Sequence, residues 1–114
     1  MYSEGAIVLL RYPNTDGSQG KRRPAVLLKS IPSSFGDWLI CMVSTQLHQK
    51  SEGLDLVLQM KDADFAGTGL KADSLIRIGR LAVVEERMFE LSLGRLADSR
   101  LREARESLVR WLKS

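Results

Sequence analysis

The chain has 114 residues, 17 Lys and Arg against 14 Asp and Glu, a formal net charge of +3, and a single cysteine, Cys41. That length suits one compact domain, residues 1–114, and the longest apolar runs fall far short of the roughly 20 residues a membrane span requires. One cysteine excludes an internal disulfide and a cysteine-based metal cluster. The start, Met1-Tyr2-Ser3-Glu4-Gly5, lacks a signal-peptide pattern, so a cytoplasmic location is expected.

Ala6 to Tyr12 reads as a first strand, closed by the turn residues Pro13-Asn14-Thr15-Asp16-Gly17. Gly20-Lys21-Arg22-Arg23-Pro24 follows, three cations on a glycine-bounded loop that meets a proline. Pro24 has no N–H to donate and suits the first residue of a second strand, Pro24 to Lys29. Arg23 is thereby expected at a rigid loop–strand junction, where a guanidinium can hold an anion in one geometry. A third strand, Trp38 to Val43, runs into the polar triplet Ser44-Thr45-Gln46. Leu54 to Met60 alternates apolar residues on one face, the pattern of a half-buried strand. Lys61 to Lys71 reads as a loop. Ser74 to Ile78 and Leu81 to Val84 are two short strands broken at Gly79, Glu85 to Phe89 a single helical turn, and Leu91 to Leu96 a last strand. Asp98 or Ser99 is a plausible N-cap for a terminal amphipathic helix carrying Leu101, Ala104, Leu108 and Trp111 or Leu112. Many short strands with one terminal helix predict a mainly β fold with α, a small, strongly bent barrel with helical cover.

The chemistry-bearing residues are few. His48 is the only histidine, which excludes a two-histidine acid–base pair within one subunit; on composition it reads as a loop residue. Cys41 lies in an apolar strand and reads as core. Gly67-Thr68-Gly69 lacks the lysine of a phosphate loop and reads as a turn. The hydroxyls of Ser44 and Thr45 stand at a strand end, where they serve either as turn residues or as phosphate ligands. Arg77 interrupts Leu75-Ile76-Arg77-Ile78 and shares a face with Leu75. Such a charge either faces a groove or pairs internally, with Asp73 or Glu85 as the available partners.

Taken in order, these blocks resemble the MazF/PemK family of toxin endoribonucleases. Gly5 to Pro13 is similar to that family's first strand, and Asp16 to Leu28 to its loop and Arg-Pro strand. Val43 to Gln46, Gly69 to Ile76, and Leu93 to Leu96 with the last helix complete the match over nearly the whole chain. The resemblance implies an SH3-like bent barrel of the MazF/CcdB type with a C-terminal helix. It implies a homodimer that cleaves single-stranded mRNA without metal or other cofactor, through a 2′,3′-cyclic phosphate. It also implies a cognate antitoxin as partner. On the family's motif, Arg23 matches the key arginine, Ser44 the catalytic threonine, Thr45 the neighbouring hydroxyl, and Arg77 an arginine of the PemK branch. Lys21, Arg22, Thr45, Gln46, Arg80 and Asp16 are expected to contact the RNA. Gly79-Arg80 stands where the family commonly has an acidic residue, which implies another base (Asp16, for example), a different sequence preference, or weakened activity. The alternative is a non-catalytic RNA- or protein-binding module on the same fold, a degenerate toxin or a gyrase-inhibitor-like protein.

Overall fold

A computed structural model describes residues 2–13 and 19–114. Among them, six strands form one antiparallel sheet: β1 (Ala6–Pro13), β2 (Gln19–Ser30), β3 (Asp37–Ser44), β4 (Leu56–Leu58), β5 (Ser74–Glu85) and β6 (Leu91–Arg95). The spatial order is β4-β5-β3-β2-β1-β6. Single turns of 3-10 helix occur at Leu47–Gln49, Ala66–Thr68 and Glu86–Met88, and one α-helix, α1, spans Asp98–Lys113. The sheet curls into a half-barrel, the mainly β architecture with a C-terminal helix expected above.

The central strands are apolar on both faces, so both faces carry a core. Ile7, Val26, Leu28, Cys41, Val43, Ile76 and Ile78 face α1 and pack with its Leu101 and Ala104. Val8, Leu10, Ala25, Leu27 and Ile40 point the other way and are covered by Trp38 and Phe89. Burial pushes the Cys41 thiol up to about 12, with the nearby Asp55 carboxylate acting in the same direction. That thiol is core, not a nucleophile.

Glycine closes the half-barrel. Gly69 has φ +73°, and a Cβ there would lie 2.0 Å from the Leu93 carbonyl oxygen; a Cβ on Gly94 would lie 2.5 Å from that of Gly67. Only backbone without side chains lets the 66–69 turn lie against β6, so the two ends of the sheet meet there without a strand–strand ladder.

Several elements differ from the sequence expectation, each for a local reason. β2 begins at Gln19, so Lys21, Arg22 and Arg23 lie within a strand and Pro24 is internal to it. The proline is tolerated because β2 has one partner there: Pro24 faces Leu9 of β1, while the β3 ladder starts at Ala25. Gly79 does not end a strand. The register passes from Cys41↔Leu81 to Met42↔Arg77, so Ile78, Gly79 and Arg80 bulge from one continuous β5. The buried Asp55 carboxylate accepts the Ile78 N–H at 2.8 Å and the Ser51 N–H at 2.9 Å, which serves the bulge and shortens β4 to Leu56–Leu58. Met60 is consequently exposed.

α1 starts at Asp98 after Ala97, with no side-chain cap. Asp98 instead pairs with Arg95 at 2.8 Å. The buried stripe ends at Leu108; Trp111 and Leu112 are exposed, because periodicity assigns a face but not how far the body beneath it extends. Polar straps dock the helix. Arg100 reaches Asp62 at 2.9 Å and Asp64 at 3.0 Å, Arg105 bonds the Leu28 carbonyl and Glu4, and Ser107 Oγ donates to the Leu54 carbonyl at 2.6 Å. The Arg100 guanidinium holds the Asp64 carboxyl below its ordinary range, and the Ser30 N–H, helped by Arg105, does the same for Glu4.

Candidate nucleic-acid interface

β2 parts from β3 between Ala25 and its N-terminal end, and the gap is a cleft of about 360 Å³. Arg22, Arg23 and Pro24 form one wall, Val43, Ser44, Thr45 and Gln46 a second, and the 69–74 segment with Leu93 a third. The closure described above therefore builds part of the site, since Gly69 and Leu93 belong to both. Three cations line the cleft, Arg22, Arg23 and Lys71; no described residue of its lining is a carboxylate or a histidine. Apolar walls of Pro24, Val43, Leu70 and Leu93 lower the local dielectric and strengthen the attraction for an anion.

Register places the side chains. Ala25 faces Met42, Met42 faces Arg77, and Leu75 faces Ser44. Alternation from Ala25 and Met42 then puts Arg23, Ser44 and Arg77 on one face of the sheet. Arg22 leaves β2 from the opposite face, so the two arginines flank the strand where it has parted from β3. Ser44 is buried, and its Oγ accepts the Gln46 N–H at 3.0 Å, which leaves the hydroxyl proton to donate. Thr45 and Gln46 are exposed at the rim.

Arg77 is not in the cleft lining, though it shares the Ser44 face. Neither sequence-predicted ion pair forms. Asp73 accepts the Met60 N–H at 2.7 Å and Glu85 pairs with Arg87 at 2.7 Å, while Arg77 Nη1 donates to Gln49 Oε1 at 3.0 Å. Arg77 Nε is buried with no hydrogen-bond partner among the described residues. An orphaned, buried guanidinium N–H is costly.

The remaining predicted residues separate. Lys21 and Arg80 are exposed and lie outside the cleft lining. Asp16 lies outside the described residues. His48 is exposed in the Leu47–Gln49 turn, away from the cleft lining. Lys71 was not singled out from the sequence; its signal was its place beside Gly69-Leu70, at the end of a glycine-punctuated loop. A larger groove, about 690 Å³, runs between α1 and the Ala63–Asp64 segment. Its arginines alternate with Asp64, Glu103 and Glu106, so opposite charges cancel and no single ligand charge is selected.

The fold and site are those of a small half-barrel β protein with a cationic, hydroxyl-bearing cleft. The family comparison makes this specific: residues 3–112 match the model of the PemK-like, MazF-like toxin of type II toxin–antitoxin systems, and the chain belongs to that family. It is a family known for endoribonucleases. Two solved structures share the fold. One is the Mycobacterium tuberculosis toxin MazF-mt6, with TM-score 0.70 and 14% identity, over 95% of this chain and 96% of that one. The other is a mycobacterial endoribonuclease in complex with its cognate antitoxin, with TM-score 0.69 and 9% identity, over 99% and 96%. No curated protein matches the sequence. Among the described residues, no helix is long and apolar enough to cross a membrane, and no cluster of His, Cys, Asp and Glu could hold a metal ion.

Proposed function

We propose that the chain is a sequence-selective endoribonuclease that cleaves single-stranded mRNA without a metal ion, the toxin of a toxin–antitoxin pair. The observation that carries this reading is the cleft itself: Arg22, Arg23 and Lys71 beside the Ser44 and Thr45 hydroxyls. The reaction is attack of a ribose 2′-oxygen on the adjacent phosphorus. The 2′-oxygen loses its proton, the P–O5′ bond breaks, and the departing oxygen gains a proton, giving a 2′,3′-cyclic phosphate and a 5′-hydroxyl. Charge accumulates on the non-bridging oxygens of the pentavalent phosphorus. Arg23 and Arg77 offer planar donor forks to those oxygens, and the Ser44 O–H donates to one of them or orients the attacking hydroxyl. The guanidinium stays protonated throughout, so the arginines act electrostatically rather than as acids. Arg22 and Lys71 hold flanking phosphates, and Thr45 and Gln46 reach base or sugar edges at the rim.

Family membership extends the proposal to partners: a second copy of the chain and an antitoxin that covers the cleft. The test is incubation of the pure protein with long single-stranded RNA in EDTA. Cleavage is expected, with loss of about 10²–10³ in rate for Arg23→Ala, the cost of removing one charge-stabilising donor. The same preparation is expected to sediment as a dimer at micromolar concentration; a monomer would remove the dimer from the proposal. RNA left intact, or cleavage unchanged by Arg23→Ala, would refute the nuclease reading. Salt-sensitive binding without cleavage would favour the second reading, a non-catalytic RNA-binding module. The lack of a carboxylate or histidine in the described cleft lining is the observation on its side.

A further inference from the structure

Arg22 reaches the cleft with its charge already engaged. Its Nε stands 2.7 Å from Glu90 Oε1 in an ion pair, and Arg11 Nε stands 4.0 Å from Glu90 Oε2. The fold brings these three together. Arg11 and Arg22 are direct partners in the β1–β2 ladder, and Glu90, just ahead of β6, is fixed by its own N–H to the Leu9 carbonyl at 2.8 Å. Two guanidiniums opposite each other on adjacent strands repel, and a carboxylate between them relieves that repulsion. Arg23 and Lys71 have no such partner among the described residues, so Arg22 is the one cleft cation of the three that is ion-paired.

The pair is held loosely. The Arg22 and Glu90 side chains are 58% and 33% exposed, a setting in which an ion pair is weak and readily exchanged. A phosphate at Arg22 competes for the same guanidinium and must displace Glu90 or share with it.

We infer that Glu90 is a built-in competitor of nucleic-acid phosphate at Arg22, a positioning residue that sets the affinity of the cleft by the charge it cancels. This rests on the RNA-binding reading above. Removing the carboxylate frees Arg22 to pair with RNA. It also leaves the two arginines facing each other uncompensated, so tighter binding comes with lower thermal stability. A purely structural role would lower stability without tightening binding.

The experiment measures binding of a 2′-O-methyl single-stranded RNA over a range of salt concentrations. The blocked 2′-oxygen removes cleavage from the readout. Glu90→Gln is expected to bind about two- to five-fold tighter at low salt, the range an exposed ion pair covers. Its plot of log K against log salt is expected to steepen by about 0.7, the contribution of one further phosphate contact on a single strand. Glu90→Ala, which makes the same charge change without the amide, should agree. In an Arg22→Ala background the gain should shrink to below about twofold, and on cleavable RNA Glu90→Gln should lower KM and leave kcat unchanged. Unchanged or weaker binding by both Glu90 variants, with wild type binding normally, would overturn the role of Glu90 and leave the RNA reading standing. Wild-type protein that fails to bind even at low salt would overturn both.

Discussion

Ser44 has one lone pair occupied by the Gln46 N–H and a proton to give, which fits a group that acts on a phosphate oxygen. Ser44→Ala is therefore expected to lower the single-turnover cleavage rate by about 10²-fold, as for loss of one transition-state donor, with little change in RNA affinity. Ser44→Thr keeps the hydroxyl and should stay within about tenfold of wild type; a Thr variant as slow as the Ala variant would show that the hydroxyl is not what matters. Much of this site was legible residue by residue. Arg77 within an apolar alternation announced a placed cation, because a charge there is costly to leave unpaired; Arg23 was singled out by the proline after it, though it lies exposed within β2 rather than at a loop–strand junction. The Gln49 partner of Arg77 was not legible, since the two are 28 residues apart and meet only through the β3–β5 register. Lys71 escaped for a related reason: its loop enters the site only because Gly69 lets the chain pass against Leu93.

At the level of elements, that crossing is the point on which both barrel and cleft depend. In Gly94→Ala the new Cβ meets backbone atoms of Gly67 and Thr68 at 2.5 to 2.7 Å, and backbone cannot swing aside. A loss of about 1–3 kcal/mol is expected, the usual cost of overpacking, and thermal unfolding should shift down by roughly 4–8 °C per kcal/mol for a chain of this size. An unchanged melting temperature would mean that the 66–69 turn and β6 are not tightly apposed. Strand positions followed from apolar runs and turn residues, but strand lengths did not. β2 continues through Lys21, Arg22 and Arg23 because β1 supplies a ladder partner that composition does not reveal. β5 continues past Gly79 because a buried carboxylate 23 residues away caps its bulge. In both cases a tertiary partner overrode the local signal.

Across the whole molecule, the helix is tied to the sheet by carboxylates whose affinity for protons falls on folding. Asp64 is held below the usual range by its bond to Arg100, and Glu4 by the Ser30 N–H together with Arg105. A group with a lower pKa folded than unfolded stabilises the native state above its unfolded pKa and loses that contribution as pH falls through the folded one. Thermal stability should therefore hold through neutral pH and drop as the solution is acidified below about 4. Arg100→Ala should remove part of that acid-dependent loss, and an identical pH profile in the variant would contradict the assignment to Asp64. The architecture as a whole was readable from the order of blocks along the chain, since apolar runs and the terminal periodicity locate the strands and the helix; the count was one strand too high because Gly79 reads as a break where β5 only bulges, and the curl depends on glycine contacts that no pattern displays. The central claim is chemical, that the face bearing Arg23, Ser44 and Arg77 drives attack by a neighbouring 2′-hydroxyl. Sequencing of RNA ends after exposure to the pure protein in EDTA tests it most directly. The expected products carry a 2′,3′-cyclic phosphate upstream and a 5′-hydroxyl downstream at a recurring short motif, and are absent with Arg23→Ala; fragments bearing 5′-phosphates, or ends scattered without motif, would contradict the account.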